Sequence, residues 1–128
     1  MAIQKGQTFT GSEKVDKYRA LYYAGASGDY NPIHIDPDFG KMVGLNGTIL
    51  QGLCTLAFAA KTVTDWAGDP GKLKKLKCRF SAPVMMEDTI SFQGTVADVQ
   101  AGLARVELAV INQAGAEVLQ KVEAEVEL

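Results

Sequence analysis

The feature that most constrains the fold is a long apolar stretch at residues 50–67. Its apolar residues recur at helical spacing but leave almost no polar face, and Gly68 followed by Pro70 is a common signal for the end of a helix. The apolar members are Leu50, Leu53, Cys54, Leu56, Ala57, Phe58, Ala59, Ala60, Val63 and Trp66. A helix that is apolar nearly all round is expected to be buried. The rest of the chain must therefore supply a surface that encloses it.

The residues after this helix alternate between apolar and polar side chains. The apolar positions are Leu76, Cys78 and Phe80; Ile90, Phe92 and Val96; Ala104, Val106, Leu108 and Val110; and Val122, Ala124 and Val126. Such alternation indicates strands with one buried and one solvated face. Residues 8–10 predict a first strand, residues 100–102 and 112–115 predict hairpin turns, and Gly94 predicts a bulge. The sheet and the helix are both buried most simply if the sheet wraps the helix, which predicts a single α+β domain over residues 1–128.

Length and charge exclude several classes of protein. A chain of 128 residues with 47% hydrophobic and 22% charged residues is ordinary for one globular domain. A net charge of −2 gives no indication of a nucleic-acid partner. The five basic residues between Lys72 and Arg79 are interpreted as a solvated strand face, with a site for an anionic carrier or nucleotide phosphate as the alternative. We expect no signal peptide and no membrane span, and hence a cytoplasmic protein in which Cys54 and Cys78 are free thiols.

Ahead of the apolar helix, turn-forming residues divide the chain into short pieces. Asp16 predicts the cap of a helix over residues 17–26. Asp36 followed by Pro37 predicts the start of a second, short helix. Residues 39–48 contain three glycines and are predicted to form a mobile connector.

The only histidine of the chain, His34, lies five residues after Asp29. Between them, Pro32 has no backbone N–H and pushes Asn31 toward an extended backbone, so the run is not expected to continue as a regular helix. Such a turn can point the two side chains at one spot. A carboxylate and an imidazole that share a spot can move protons near neutral pH. The alternative is an ordinary turn, because Gly, Asp, Asn and Pro each favour turns.

The sequence around these residues resembles the signature of the MaoC-like hydratases, the (R)-specific enoyl thioester hydratases and dehydratases of the hotdog fold. It reads Tyr23-Ala-Gly-Ala-Ser-Gly-Asp-Tyr-Asn-Pro-Ile-His34. The resemblance covers about residues 15–96 and includes Gly47-Thr-Ile-Leu-Gln-Gly-Leu-Cys-Thr-Leu-Ala57 and Arg79-Phe-Ser-Ala-Pro-Val-Met-Met-Glu-Asp-Thr89. Within the family the likeness is strongest to the B-type chain of the mycobacterial-type (3R)-hydroxyacyl-acyl carrier protein dehydratases, through Val63-Thr-Asp-Trp-Ala-Gly-Asp-Pro70. The departures are Gly40 where the family usually has Ala or Ser, Gln51 where relatives often have His, and Met86-Glu87-Asp88 where Pro-Gly-Asp is common.

The resemblance implies an α+β hotdog fold and a catalytic dyad of Asp29 and His34, with Asn31 orienting their loop. It also assigns the thioester oxygen to the amide of Gly52. Backbone N–H groups at a helix start suit this role, because they lack intrahelical partners and lie at the positive end of the helix dipole. A close contact between helix and sheet is the alternative reason for a glycine at this position. The remaining residues expected to contact the substrate are Gln51 and Tyr23.

The implied activity is hydration of trans-2-enoyl thioesters, or dehydration of (3R)-hydroxyacyl thioesters, carried on coenzyme A or acyl carrier protein. A hotdog thioesterase is an alternative, but those enzymes commonly place a carboxylate on or near the central helix, and residues 50–64 contain no Asp or Glu. A subunit that completes the acyl tunnel of another chain, or an acyl-binding module, would leave the retained Asp29 and His34 unexplained. No cofactor is expected, and one histidine with scattered carboxylates predicts no metal site. The exposed edges of a small sheet predict a dimer, either with the same chain or with a related hotdog subunit.

Overall fold

One antiparallel sheet packs against one long helix in the computed structural model, which describes residues 2–128. The strands are β1 Thr8–Lys14, β2 Leu73–Phe80, β3 Thr89–Gln100, β4 Leu103–Ile111 and β5 Glu117–Glu127. The helices are α1 Arg19–Ser27, α2 Pro32–Ile35, α3 Pro37–Met42 and α4 Gly52–Ala67. The strand order is β1-β3-β4-β5-β2, so β1 and β2 are the edges. The predicted α+β fold is confirmed.

The alternation of the strand residues produces the core on the helix side of the sheet. Val96 of β3 lies opposite Val106 of β4, which in turn lies opposite Ala124 of β5, and all three are buried. The remaining buried apolar residues of these strands are Ile90, Phe92, Ala104, Leu108, Val110, Val118, Leu119, Val122 and Val126. A slip of one residue would move each set to the solvated face, so this pattern specifies the register.

The prediction that α4 is buried on all sides is wrong for one stripe. The buried residues of α4 are Cys54, Thr55, Ala59, Thr62 and Val63. The exposed stripe, with a spacing of four residues, consists of Leu53, Ala57, Lys61 and Asp65. Leu53 is 60% exposed, because a single sheet covers only one side of the helix. Within residues 2–128, no helix is both long enough and apolar enough to cross a bilayer.

Gly94 makes room for an aromatic ring and does not mark a bulge. Phe9 of β1 lies opposite Gly94 and stacks on Trp66 of α4, with the ring centroids 4.3 Å apart. A Cβ atom on Gly94 would overlap the Phe9 ring. The pairing of β3 with β4 continues unbroken through Gly94, and its register shifts between Val96 and Asp98 instead. The bulge predicted at Gly94 is therefore wrong.

The predicted hairpin turns both lie where the sequence placed them. Between β3 and β4, Ala101 and Gly102 adopt positive φ angles of 54° and 79°. Between β4 and β5, the Gly115 N–H donates to the Asn112 carbonyl over 3.0 Å.

Part of the predicted connector is helical. The Asp36 side chain caps α3 by accepting a hydrogen bond from the Asp38 N–H (3.0 Å), as the sequence predicts. The helix continues to Met42, so it occupies the first four of the ten residues at 39–48. Beyond it, the chain folds back so closely that a Cβ atom on Gly40 would overlap the Gly47 carbonyl.

Candidate active site

His34 lies in a one-turn helix that starts with a cap and a proline. The Asn31 side-chain oxygen accepts a hydrogen bond from the Ile33 N–H (3.2 Å), and Pro32 occupies the first helical position. The prediction of non-helical backbone is correct up to Asn31 and wrong after it. The pair Asn31-Pro32 carries the same start signal as Asp36-Pro37, so the sequence contained the evidence for this helix.

The His34 ring is oriented by a hydrogen bond to the backbone. Its Nδ1 lies 2.8 Å from the carbonyl oxygen of Ile49, whose own N–H donates to the Ile33 carbonyl over 3.0 Å. Because a carbonyl oxygen only accepts, Nδ1 carries the hydrogen of the neutral ring and Nε2 keeps its lone pair. Nε2 lies 3.6 Å from Oδ2 of Asp29. The structure thus brings the two predicted dyad residues together.

Asp29 is held in the turn by one of its two carboxylate oxygens. Its own N–H donates to the Ser27 hydroxyl (3.1 Å), and its Oδ1 accepts a hydrogen bond from the Asn31 N–H (3.3 Å). The other oxygen, Oδ2, faces His34. The Asp29 side chain is 47% exposed whereas that of His34 is 9% exposed, so solvent reaches the pair from the carboxylate side.

A cavity of about 370 Å³ has both side chains in its wall. The wall also contains Gln51 and Gly52 at the start of α4, and Phe80 at the end of β2. The other wall residues are Ile49, Leu50, Leu53, Thr55, Ser81, Ala82, Pro83, Val84, Val118 and Leu119. A mainly apolar concavity with a few convergent polar groups is typical of small-molecule sites.

Gly52 has a free amide and is also in close contact with the sheet. It is the first residue of α4, so its N–H has no intrahelical acceptor. A Cβ atom at this position would lie 2.8 Å from Cδ1 of Phe80. Sequence reasoning did not identify Phe80 as a site residue. Its alternation with Leu76 and Cys78 indicated the side of the strand it occupies, but no local signal indicated contact with the start of α4.

Gln51, directly before Gly52, is only 1% exposed. Its Nε2 donates a hydrogen bond to the Ala20 carbonyl of α1 over 2.9 Å. Its Oε1 is buried and has no hydrogen-bond partner among residues 2–128. Of the two polar atoms of this side chain, only Nε2 is therefore hydrogen-bonded within the described residues.

Tyr23, one of the predicted substrate contacts, does not line this cavity. It is half-buried and packs against the core. A second cavity of about 440 Å³ also reaches His34, and its wall includes Tyr18, Met85 and Met86.

The pair of Asp29 and His34 can hold a water molecule and exchange protons with it. The separation of 3.6 Å between Nε2 and Oδ2 is longer than a direct hydrogen bond. The neutral imidazole and the carboxylate both accept protons, whereas the Gly52 N–H is a donor that does not titrate. The cavity therefore combines two proton acceptors with one fixed donor for a developing negative charge.

Comparison with known proteins places the chain in a family. Residues 1–118 match the family described as the MaoC like domain. The chain belongs to this family. Enoyl-CoA hydratase 2, peroxisomal, of Arabidopsis thaliana is 42% identical over 80 residues, which are 61% of this chain and 26% of that protein. Peroxisomal multifunctional enzyme type 2 of Mus musculus is 44% identical over 66 residues, which are 50% of this chain and 9% of that protein. This member of the family thus matches about a quarter or less of the length of these relatives.

Two solved structures superpose over nearly the whole chain. The (R)-hydratase from A. caviae has a TM-score of 0.90 at 22% identity and covers 99% of this chain and 98% of its own. A chain of the ChsH1-ChsH2 complex from Mycobacterium tuberculosis has a TM-score of 0.88 at 26% identity, and the match covers 99% of this chain and 99% of that one. These likenesses confirm the predicted hotdog fold.

Proposed function

We propose that the chain adds water to trans-2-enoyl thioesters with (R) stereochemistry and catalyses the reverse dehydration of (3R)-hydroxyacyl thioesters. The observation that carries this proposal is the hydrogen bond from His34 Nδ1 to Ile49, which leaves Nε2 facing Asp29 in the cavity that also contains Gly52. Relatives named as enoyl-CoA hydratase 2 support it.

The reaction divides among these groups as follows. The water oxygen forms a bond to C3 while one of its protons passes to the dyad of Asp29 and His34. The thioester carbonyl accepts a hydrogen bond from the Gly52 N–H as negative charge develops on its oxygen. A proton then reaches C2, so that both halves of water are added and no other reactant is needed. Either dyad residue can act first as the base, and dehydration runs through the same steps in reverse.

The other predicted site residues have supporting roles in this proposal. Asn31 orients the loop, because its side chain caps α2 and its backbone N–H donates a hydrogen bond to Asp29 Oδ1. Gln51 lines the cavity beside the reacting carbonyl. Tyr23 acts indirectly, because its side chain packs α1 against the core.

The substrate carrier is coenzyme A or acyl carrier protein, and the relatives named for enoyl-CoA favour the former. Cytoplasmic location stays a prediction from sequence, since the matching proteins of Arabidopsis thaliana and Mus musculus are both named as peroxisomal.

We propose that the functional unit is a dimer of hotdog domains, with residues 1–128 forming one domain. Leu53, at the start of the exposed α4 stripe, borders the cavity together with Phe80, and these two exposed apolar side chains need a covering surface. The partner is a second copy or a related chain, and the mycobacterial likeness found in the sequence together with the ChsH1-ChsH2 complex supports the latter. If the chain does not pair with a second copy of itself, its activity would require the related partner chain.

Hydration of crotonyl-coenzyme A, followed by the loss of enoyl absorbance, tests the activity. We expect (3R)-hydroxybutyryl-coenzyme A from the wild type, and a rate lowered by at least about 10²–10⁴-fold in Asp29→Asn and in His34→Ala. Asp65→Asn is the matched control, because Asp65 is exposed at the far end of α4 and pairs with Lys61 at 3.3 Å. Activity in Asp29→Asn equal to that of the wild type, or a wild type inactive on both the coenzyme A and carrier-protein thioesters, would contradict a self-sufficient hydratase.

A further inference from the structure

Gln51 joins the two elements that carry the proposed catalytic groups. It is the N-cap residue of α4, directly before Gly52, and its Nε2 donates to the carbonyl of Ala20 in α1. α1 leads through Gly28 into Asp29. The residues that form this bond are 31 positions apart in sequence, so the bond sets the position of the α4 start relative to the element that delivers the carboxylate.

The hydrogen bonding of Gln51 is half complete. Its Oε1 is buried and has no partner among residues 2–128. Turning the amide over would bring Oε1 against the Ala20 carbonyl, which is an acceptor, so the observed orientation is the one that this carbonyl allows. A buried acceptor without a partner is costly, and in folded proteins such atoms are commonly satisfied by an ordered water.

We propose that Gln51, through its hydrogen bond to Ala20 and a buried water on its Oε1, is a positioning residue that holds the Gly52 amide in register with Asp29 and His34. The role rests on the proposed hydratase function. Gln51 suits it because an amide donates and accepts without titrating, so the link is maintained across the working pH range.

Two substitutions separate positioning from packing. Gln51→Met keeps a similar length and volume but removes the donor and the acceptor. Gln51→His restores both, because one ring nitrogen donates while the other accepts. Gln93→Met, on an exposed position of β3, is the matched control.

We expect Gln51→Met to lower kcat by about 10- to 100-fold, the effect of a misplaced catalytic group, with KM changed by less than about threefold. Gln51→His should recover kcat to within about threefold of the wild type. A Gln51→Met enzyme with the kcat of the wild type would overturn the proposal. So would a Gln51→His enzyme as slow as Gln51→Met, because the loss would then follow from altered packing alone.

Crystal structures of the wild type and Gln51→Met test positioning without any activity assay. The wild type should show a water within about 3.2 Å of Gln51 Oε1. In Gln51→Met that water should be absent, and the distance from Gly52 N to His34 Nε2 should change by about 0.5 Å or more. An inactive wild type would refute the proposed function, whereas an unmoved Gly52 in Gln51→Met, or a wild type without a water on Gln51 Oε1, would refute the positioning role.

Discussion

The carbonyl of Ile49 determines which nitrogen of the only histidine faces the cavity. It accepts from Nδ1, so Nε2 of neutral His34 points toward Asp29. The two oxygens of Asp29 also have separate roles, because Oδ1 accepts a hydrogen bond from the Asn31 N–H and Oδ2 faces the His34 ring. In both residues one polar atom orients the side chain and the other remains available for chemistry. Sequence reasoning paired the two residues, but it did not identify Ile49, because a backbone carbonyl 15 residues away has no side-chain signature.

The two cysteines should differ in reactivity. The prediction of free thiols is confirmed; Cys54 is buried and Cys78 is half-buried. Burial raises the pKa of both thiols above its usual value, with Arg19 partly offsetting the effect at Cys54. Because the thiolate is the reactive form, we expect slow labelling of Cys78 by iodoacetamide in the native state and labelling of Cys54 only after unfolding. Mass spectrometry of Cys78→Ser should then show no modified native protein, and rapid native labelling of Cys54 would contradict this expectation.

The same raised pKa values predict a loss of stability at alkaline pH. A thiol whose pKa is higher in the folded than in the unfolded protein stabilises the fold at a pH below the unfolded pKa, which is about 8.5 for cysteine. This stabilisation is lost as the pH rises through the folded pKa, because the unfolded protein ionises more readily. The free energy of unfolding should therefore fall less steeply above this pH in Cys54→Ala than in the wild type, as measured by urea titration. Equal slopes in the two proteins would rule out the contribution from Cys54.

At the scale of elements, the helix starts were predictable wherever a capping residue was followed by proline. Asp36-Pro37 was interpreted correctly, and Asn31-Pro32 has the same chemistry in α2. The edge strand β1 depends on a contact that no local pattern encodes. Phe9 occupies the space above Gly94 and stacks on Trp66, so three separate elements meet at one ring.

Two glycine substitutions should have opposite effects on stability. Gly94→Ala introduces a Cβ atom that overlaps the Phe9 ring, and we expect a loss of about 1–3 kcal/mol from overpacking. Gly25→Ala lies within α1 with no atom within 4 Å of the new Cβ, and we expect a gain of about 0.5–1 kcal/mol from helix propensity. Calorimetry should show the melting temperature moving down in the first and up in the second. A Gly94→Ala protein as stable as the wild type would show that β1 shifts without cost.

For the whole molecule, the exposed stripe of α4 indicates the side on which a partner is expected. Leu53 and Ala57 form its apolar half, whereas Lys61 and Asp65 form an ion pair at the other end. Phe80, the last residue of the edge strand β2, lies in the cavity wall together with Leu53 of this stripe. A partner that covers this side would shield the site from water.

Charge introduced into the stripe should weaken the proposed dimer. Ala57 is exposed and does not line the cavity, so Ala57→Glu tests the surface without altering the site. In a symmetric dimer the new carboxylates would face a low-dielectric interface, and we expect the dissociation constant to rise by about 100-fold or more. Sedimentation velocity of the wild type, Ala57→Glu and the turn variant Ala114→Glu measures this. A wild type that is monomeric alone would favour a different partner chain, and a fully dimeric Ala57→Glu would place the interface elsewhere.

The order and type of most elements, and the pairing of Asp29 with His34, could be predicted from the sequence. Both depend on local rules: period-two alternation selects strand faces, capping residues start helices, and a turn motif brings side chains five positions apart together. Three-dimensional packing alone decided which side of α4 remains exposed, why Gly94 and Gly52 are glycines, and which atoms orient His34 and Gln51. The physical reason is that these outcomes depend on contacts with Phe9, Phe80, Ile49 and Ala20, whose distances from the affected residues are set by the fold and not by any local pattern.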